Sequence, residues 1–156
     1  MCFLSVKRLI KSFKYAFSGI LHTINTEQNM RIHLVIASLI IFFAYFFGIK
    51  RTEWAVLFLA IGFVIFAEII NTAIERMSDA LTNDYNINIK YAKDAAAAGV
   101  TVAAVIAITV GIALFGDALK IFNTITYIFT SKNAILAFLV LLILDILFLF
   151  RVGKKK

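Results

Sequence analysis

The stretch EIINTAIERMSD, residues 68 to 79, places acids and an amide within an otherwise apolar run that begins near Trp54. In a helix, which turns by about 100° per residue, four polar residues of this stretch share one face: Glu68, Asn71, Glu75 and Asp79. A charged side chain inside a bilayer is costly, and it is rare there unless it has a partner or a function. This polar stripe on an apolar helix therefore predicts a site between packed membrane helices.

The composition predicts an integral membrane protein. Hydrophobic residues make up 62% of the 156-residue chain, well above the share in soluble globular domains. Lys and Arg number 16 against 9 Asp and Glu, and on an apolar chain this excess favours anionic lipid headgroups as partners. Basic residues do not alternate with aromatic residues on a soluble face, so no nucleic-acid partner is expected. The single cysteine, Cys2, excludes an internal disulfide.

The periodicity predicts an all-α fold with one surface helix and several membrane spans. Residues 3–26 carry apolar residues at three- and four-residue steps with lysines opposite, which is typical of a helix lying in the membrane interface. The absence of proline fits uninterrupted helices. The segments predicted to cross the membrane are residues 32–49, 54–78, 91–115 and, as a probable fourth span, 134–150.

The chain divides at about residue 117. Residues 1–117 form the predicted membrane domain, and residues 118–156 form a linker, the additional span and a basic tail. Residues 119–129 are apolar but interrupted by polar residues, so we expect them to be interfacial or an extension of the third span. Asp145 in the fourth span is a second intramembrane acid for which the sequence shows no partner.

Basic residues also predict the orientation. Four spans place both termini on one side, together with most of the Lys and Arg residues, and that side is therefore cytoplasmic. Four basic residues fall on the other side and weaken this asymmetry without reversing it: Lys50, Arg51, Lys120 and Lys132.

Four motifs, taken in order, resemble those of the prokaryotic diacylglycerol kinase family, and more closely its Gram-positive branch, the undecaprenol kinases. They are SFKYAFSGI at 12–20, TEQNMRIH at 26–33, EIINTAIERMSD at 68–79 and YAKDAAAAGV at 91–100. The resemblance implies a bacterial cytoplasmic-membrane enzyme with a surface helix and three spans, assembled as a homotrimer with shared sites facing the cytoplasm. It also implies transfer of the γ-phosphoryl group of ATP to a lipid hydroxyl with Mg²⁺. The fourth span departs from the family pattern.

The resemblance and the residue chemistry together assign the binding residues. The chain has no glycine-rich phosphate loop, so ATP must be held by separate side chains. Mg²⁺ is commonly bound by one or two carboxylates with phosphate oxygens, which Glu27 and Glu75 can supply. Lys93 offers a point charge for phosphate, and Asp94, in the first turn of its helix, can orient Lys93 or the ribose. The other predicted nucleotide contacts are Asp84 and Asn86 in the polar loop and Arg8 and Tyr15 on the surface helix.

Glu68 is the predicted general base, with Asn71 as its positioning partner. It lies about 12 Å deeper in the membrane than Arg76, at 1.5 Å per residue. At that depth a lipid hydroxyl can be reached while the lipid tails stay in hydrocarbon. The sequence leaves the choice between undecaprenol and diacylglycerol open.

Two other functions compete with a lipid kinase. Intramembrane acids also serve ion pathways, so a small ion or proton transporter is one alternative. Such transporters usually have internal repeats or interrupted helices, and neither is evident in this proline-free chain. The other alternative is a non-catalytic assembly protein in which the polar stripe only hydrogen-bonds helices together.

Overall fold

The computed structural model describes residues 6–81 and 84–152. These residues form helices and no strand, in the order α1 (Val6–Thr26), α2 (Gln28–Phe47), α3 (Arg51–Leu81), α4 (Ile87–Leu114), α5 (Ala118–Thr130) and α6 (Lys132–Val152). Three parts of the sequence-based prediction lie outside the described residues: the start of the surface helix at 3–5, Cys2, and the terminal lysines at 154–156.

Four helices, α2, α3, α4 and α6, are long and apolar enough to cross a membrane, which confirms the predicted all-α integral membrane fold. All four extend beyond the predicted apolar segments at one or both ends. The reason is that backbone hydrogen bonding continues into polar flanking residues, whereas the prediction followed hydrophobicity. With 31 residues, α3 is about 46 Å long at 1.5 Å per residue, and it exceeds the roughly 30 Å hydrocarbon core of a bilayer.

A tight turn joins α2 to α3. Gly48 ends α2 with a φ of 68°, and its N–H donates to the carbonyls of Ala44 and Tyr45. This left-handed conformation favours glycine because a side chain there would clash with the backbone. Beside the turn, Ala44, Phe47 and Leu57 are buried in a small apolar core. We refer to this end of the bundle as the turn end.

The opposite end, which we call the polar end, is where α2 begins, α3 ends and α4 begins. The antiparallel pair α3 and α4 has the most extensive packing in the described chain. Asn86 caps α4, and its side chain accepts hydrogen bonds from the N–H groups of Asn88 and Ile89. The surface helix α1 reaches the bundle at this end, and Thr23 is its one buried residue in the described range.

Helix α5 is a separate helix. Asp117 caps it and accepts a hydrogen bond from the N–H of Lys120, so the expectation that this segment extends the third span is wrong. With 13 residues it is about 20 Å long and too short to span a bilayer. It packs at the turn end, where the Lys120 ammonium lies 4.2 Å from the ring centre of Phe47 and Tyr127 contacts Phe46.

Helix α6 returns along the outside of α2. The rings of Phe42 and Phe138 lie 5.7 Å apart, and Ser38 Oγ lies 2.8 Å from Asp145 Oδ2. Further along, α6 contacts α1. Asp145 therefore has a partner, which the sequence did not reveal because Ser38 is 107 residues away.

Candidate functional site

The polar stripe of α3 runs from the protein interior to its surface at the polar end. Glu68 is 2% exposed and Asn71 is 7% exposed, Glu75 is half-buried, and Asp79 is exposed. The amide nitrogen of Asn71 donates to Glu75 Oε1 over 2.9 Å. Helical spacing thus aligns these groups as expected, and their burial decreases steadily toward the end of α3.

Two oxygens at the buried end of the stripe lack partners. Neither Glu68 Oε2 nor Asn71 Oδ1 has a hydrogen-bond partner among the described residues, although both atoms are buried. Buried acceptors without partners are costly and uncommon. Because both atoms accept hydrogen bonds, the arrangement suits a hydroxyl donor brought by a ligand.

Glu27 joins the stripe from another helix. It holds the N-cap position of α2 without a side-chain cap bond, and its Oε1 accepts from the Thr26 hydroxyl and lies 3.5 Å from the guanidinium of Arg76. This contact with Arg76 places the Glu27 carboxylate beside α3, next along the chain from Glu75. The fold therefore brings the start of α2 to the surface end of the polar stripe.

The carboxylates at this end suit a hard cation in their chemistry, since Mg²⁺ prefers oxygen ligands. In the ranges 6–81 and 84–152, no three His, Cys, Asp or Glu side chains are grouped to ligate one ion. A cation held by Glu27 and Glu75 would therefore complete its coordination with water or phosphate oxygens, as Mg²⁺ usually does.

A polar cleft of about 510 Å³ opens between the end of α3 and the start of α4. Its lining includes four of the predicted nucleotide contacts, Asp84, Asn86, Lys93 and Asp94. Lys93 forms an ion pair with Asp79 across the cleft. In the structure Lys93 thus pairs with Asp79, and Asp94, which the sequence predicts to orient Lys93 or the ribose, lines the same cleft.

Sequence reasoning missed other residues of this polar cleft, including Ser78, Tyr85 and Lys90. Helical spacing was the available signal for Lys90, because it precedes Lys93 by three residues and shares its face of α4. A second ammonium on the same face of α4 increases the positive charge available to phosphate.

The surface helix does not reach this cleft within one chain. Arg8 and Tyr15 are exposed and are absent from the cleft lining. Lys11 lies 5.7 Å from the ring centre of Tyr15. The structure therefore separates these two predicted nucleotide contacts from the other residues of the site.

Arg31 is a structural residue that the sequence did not single out. Its side chain is buried, and one guanidinium nitrogen donates to the carbonyls of Ile24 and Asn25 over 3.1 and 3.3 Å. These carbonyls belong to the last turn of α1, where the helix dipole favours positive charge. Arg31 thereby fixes the end of α1 next to Glu27.

An apolar groove of about 480 Å³ lies between α2, α3 and α4. On α3 it extends from Ile65, one turn from Glu68, to Leu57, and on α4 it reaches Phe115 near the turn end. The buried carboxylate of Glu68 thus lies between the apolar groove on one side and the polar end of the bundle on the other. Such a position suits a ligand with a long apolar tail and a polar head.

The fold and the site define a helical membrane protein with a buried glutamate, Glu68, on the helix that borders both a polar cleft and an apolar groove. The family described as prokaryotic diacylglycerol kinase matches residues 14–115. The chain belongs to this family and is a lipid kinase, so the comparisons favour neither the transporter nor the assembly protein.

Two relatives agree with this assignment. The chain is 37% identical over 110 residues to the undecaprenol kinase of Bacillus subtilis (strain 168), covering 70% of this chain and 89% of that protein. It is 36% identical over 104 residues to the diacylglycerol kinase of Synechocystis sp., covering 66% of this chain and 59% of that protein. The predicted likeness to the Gram-positive undecaprenol kinase branch is confirmed. No solved structure matches the chain.

Proposed function

We propose that the protein transfers the γ-phosphoryl group of ATP to the hydroxyl of a membrane lipid alcohol, undecaprenol or diacylglycerol, at the cytoplasmic face of the bacterial inner membrane. The observation that carries this proposal is the pair of buried, unpartnered acceptors, Glu68 Oε2 and Asn71 Oδ1. Glu68 lies one helical turn along α3 from Ile65, the last α3 residue that lines the apolar groove. The lipid tail would lie in the groove and its hydroxyl would donate to Glu68.

In the reaction, Glu68 takes the proton of the lipid hydroxyl while the hydroxyl oxygen forms a bond to the γ-phosphorus. The bond from that phosphorus to the bridging oxygen of ADP breaks, and ADP leaves. Asn71, whose amide nitrogen donates to Glu75 over 2.9 Å, would position the lipid hydroxyl by donating its second N–H to the hydroxyl oxygen. General-base catalysis of this kind contributes about 10²- to 10⁴-fold to a rate.

The nucleotide would occupy the polar cleft, with Lys93 on its phosphates and Asp84, Asn86 and Asp94 around the remainder of the molecule. Glu27 and Glu75 would hold Mg²⁺, which when bound neutralises charge on the transferring phosphoryl group. Arg76 keeps the Glu27 side chain at this end of the bundle.

We further infer a homotrimer with shared sites. The exposure of Arg8 and Tyr15 supports this inference, because in one chain they do not line the cleft. In an assembly, α1 of one subunit could supply them to the cleft of a neighbour. Chemical crosslinking in membranes tests the stoichiometry, and a strictly monomeric active enzyme would contradict it.

The experiment is phosphoryl transfer from labelled ATP by the purified full-length protein in lipid nanodiscs, with undecaprenol and diacylglycerol supplied separately. We expect Glu68→Gln to lower kcat by about 10²- to 10⁴-fold and to leave the KM for ATP unchanged, because the amide keeps the shape but cannot take the proton. The matched control is Glu53→Gln, since Glu53 lies at the other end of α3 and only accepts from the N–H of Lys50. Full activity of Glu68→Gln would refute the assignment of the base, and no labelled lipid from either alcohol would refute the proposed function.

A further inference from the structure

The C-terminal hairpin, α5 with α6, lies outside the family match, which ends at residue 115. It packs on α2 along its length and on α1 at one end of α6. Between residues 118 and 150, no side chain of the hairpin lines the polar cleft or the apolar groove. Any influence of the hairpin on the site must therefore act through the helices that it contacts.

Two opposite faces of helix α2 border different parts of the protein, the apolar groove and the hairpin. Ile36 and Ile40 line the apolar groove, whereas Ser38 faces the hairpin. At about 100° per residue, each isoleucine points about 160° away from Ser38. One face of α2 therefore borders the groove, and the opposite face packs on α6 of the hairpin.

One polar contact fixes α6 against α2 in the middle of the predicted spans. Asp145 is the one acid between Ala134 and Phe150, and its Oδ2 lies 2.8 Å from Ser38 Oγ. Ser38 Oγ also lies 2.8 Å from the carbonyl of Val35, so the contact is anchored to the backbone of α2. An acid in a span is rare unless it has a partner or a role, and an interhelical hydrogen bond adds to close packing in selecting one rotation of a helix in lipid.

We propose that Asp145, through Ser38, is a positioning residue that holds the α2 wall of the apolar groove and thereby sets the fit of the lipid tail. The part of this proposal that concerns the substrate rests on the proposed function. In this chain the hairpin thus supplies a determinant of lipid recognition that lies outside the region matched by the family.

The first test measures the groove itself and needs no activity. Spin labels are placed at two exposed positions flanking it, Ile32→Cys on α2 and Val102→Cys on α4, in a Cys2→Ser background with spin-diluted samples. We expect Asp145→Leu to broaden or shift the distance distribution between the labels. Asp145→Asn should preserve the distribution, because the amide oxygen still accepts from the Ser38 hydroxyl. The matched control is Leu144→Ala, which changes an exposed neighbour on the same helix.

The second test measures kinetics with the full chain in nanodiscs. The energy of a single interhelical hydrogen bond in a membrane corresponds to a change of about threefold, and at most about twentyfold, in an equilibrium constant. We expect Asp145→Leu and Ser38→Ala to raise the KM for the lipid alcohol by that factor with the KM for ATP unchanged. The exchanged pair, Ser38→Asp with Asp145→Ser, should restore the KM because it re-forms the contact. A merely structural effect would lower the amount of active enzyme and leave both KM values unchanged.

The possible outcomes separate this proposal from the proposed function. The positioning proposal would be overturned if Asp145→Leu left the KM for the lipid alcohol unchanged, whether or not the distance between the spin labels changed. If the distances change as expected but the unsubstituted protein phosphorylates no lipid alcohol, the positioning of α2 stands and the proposed function fails.

Discussion

Lys93 provides a test that separates nucleotide binding from stability. In the structure its ammonium pairs with Asp79, and the two side chains are 36% and 69% exposed. Ion pairs this exposed contribute only about 0–1 kcal/mol to stability. A contact between the same ammonium and a phosphate is a charge-assisted hydrogen bond, for which about 1.5–3 kcal/mol is typical. The two roles therefore predict different magnitudes for the same substitution.

We expect Lys93→Met to raise the KM for ATP by about tenfold to 150-fold, the factor that corresponds to the phosphate contact. Its melting temperature should stay close to that of the unsubstituted protein. Asp79→Asn should act in the opposite direction and lower the KM for ATP by up to about fivefold, because Lys93 no longer has to leave an ion pair before it binds phosphate. In the double variant the effect of Asp79→Asn should disappear.

The assay is steady-state kinetics in nanodiscs with ATP varied at saturating lipid, together with thermal unfolding of each variant. Lys90→Met is the matched comparison, because Lys90 lines the same cleft but forms no ion pair with any residue in the ranges 6–81 and 84–152. If Lys93→Met leaves the KM for ATP unchanged and lowers the melting temperature, the reasoning is refuted and the ion pair with Asp79 is structural.

Two further predictions concern the scaffold. Arg31→Ala should release the end of α1 and lower the free energy of unfolding by about 1.5–3 kcal/mol, since its charged hydrogen bonds to two carbonyls are lost. Amide hydrogen exchange in the last turn of α1 should be faster in Arg31→Ala than in Arg51→Ala, a control at an exposed position. Equal exchange rates in the two variants would contradict this. Gly48→Ala should destabilise the protein by about 1–2 kcal/mol, because the left-handed backbone brings the added carbon close to the adjoining carbonyl, whereas no atom beyond Gly48 and its two chain neighbours lies within 4 Å of that carbon. Gly19→Ala, also unobstructed but inside a helix, should instead stabilise by about 0.5–1 kcal/mol. Thermal unfolding of both glycine variants measures this difference, and equal shifts of the same sign would disprove the backbone explanation.

The candidate site could be predicted from the sequence where it depends on spacing along one helix. Glu68, Asn71 and Glu75 share a face because they lie three or four residues apart, and the structure keeps that order. Asp84, Asn86, Lys93 and Asp94 also meet in one cleft, because a short loop joins the helices that carry them. Their proposed roles with ATP remain predictions.

Contacts between helices were not predictable in the same way. The sequence did not indicate that Lys93 pairs with Asp79, that Arg31 is buried against α1, or that Asp145 meets Ser38. Nor did it indicate which hydrogen-bond acceptors on the polar stripe lack a donor among the described residues. Each of these facts depends on how one helix is rotated against another.

The amino-acid sequence by itself determined the helices, the number of helices that can cross a membrane and the alignment of the polar stripe. It could do so because a helical period is encoded within a few consecutive residues. Only the tertiary structure decided the partners of Lys93, Arg31 and Asp145. The physical reason is that lipid tails and apolar side chains are equally apolar, so hydrophobicity does not select which face of a membrane helix meets its neighbour. That choice is made by close packing and by a few polar contacts between residues far apart in the chain.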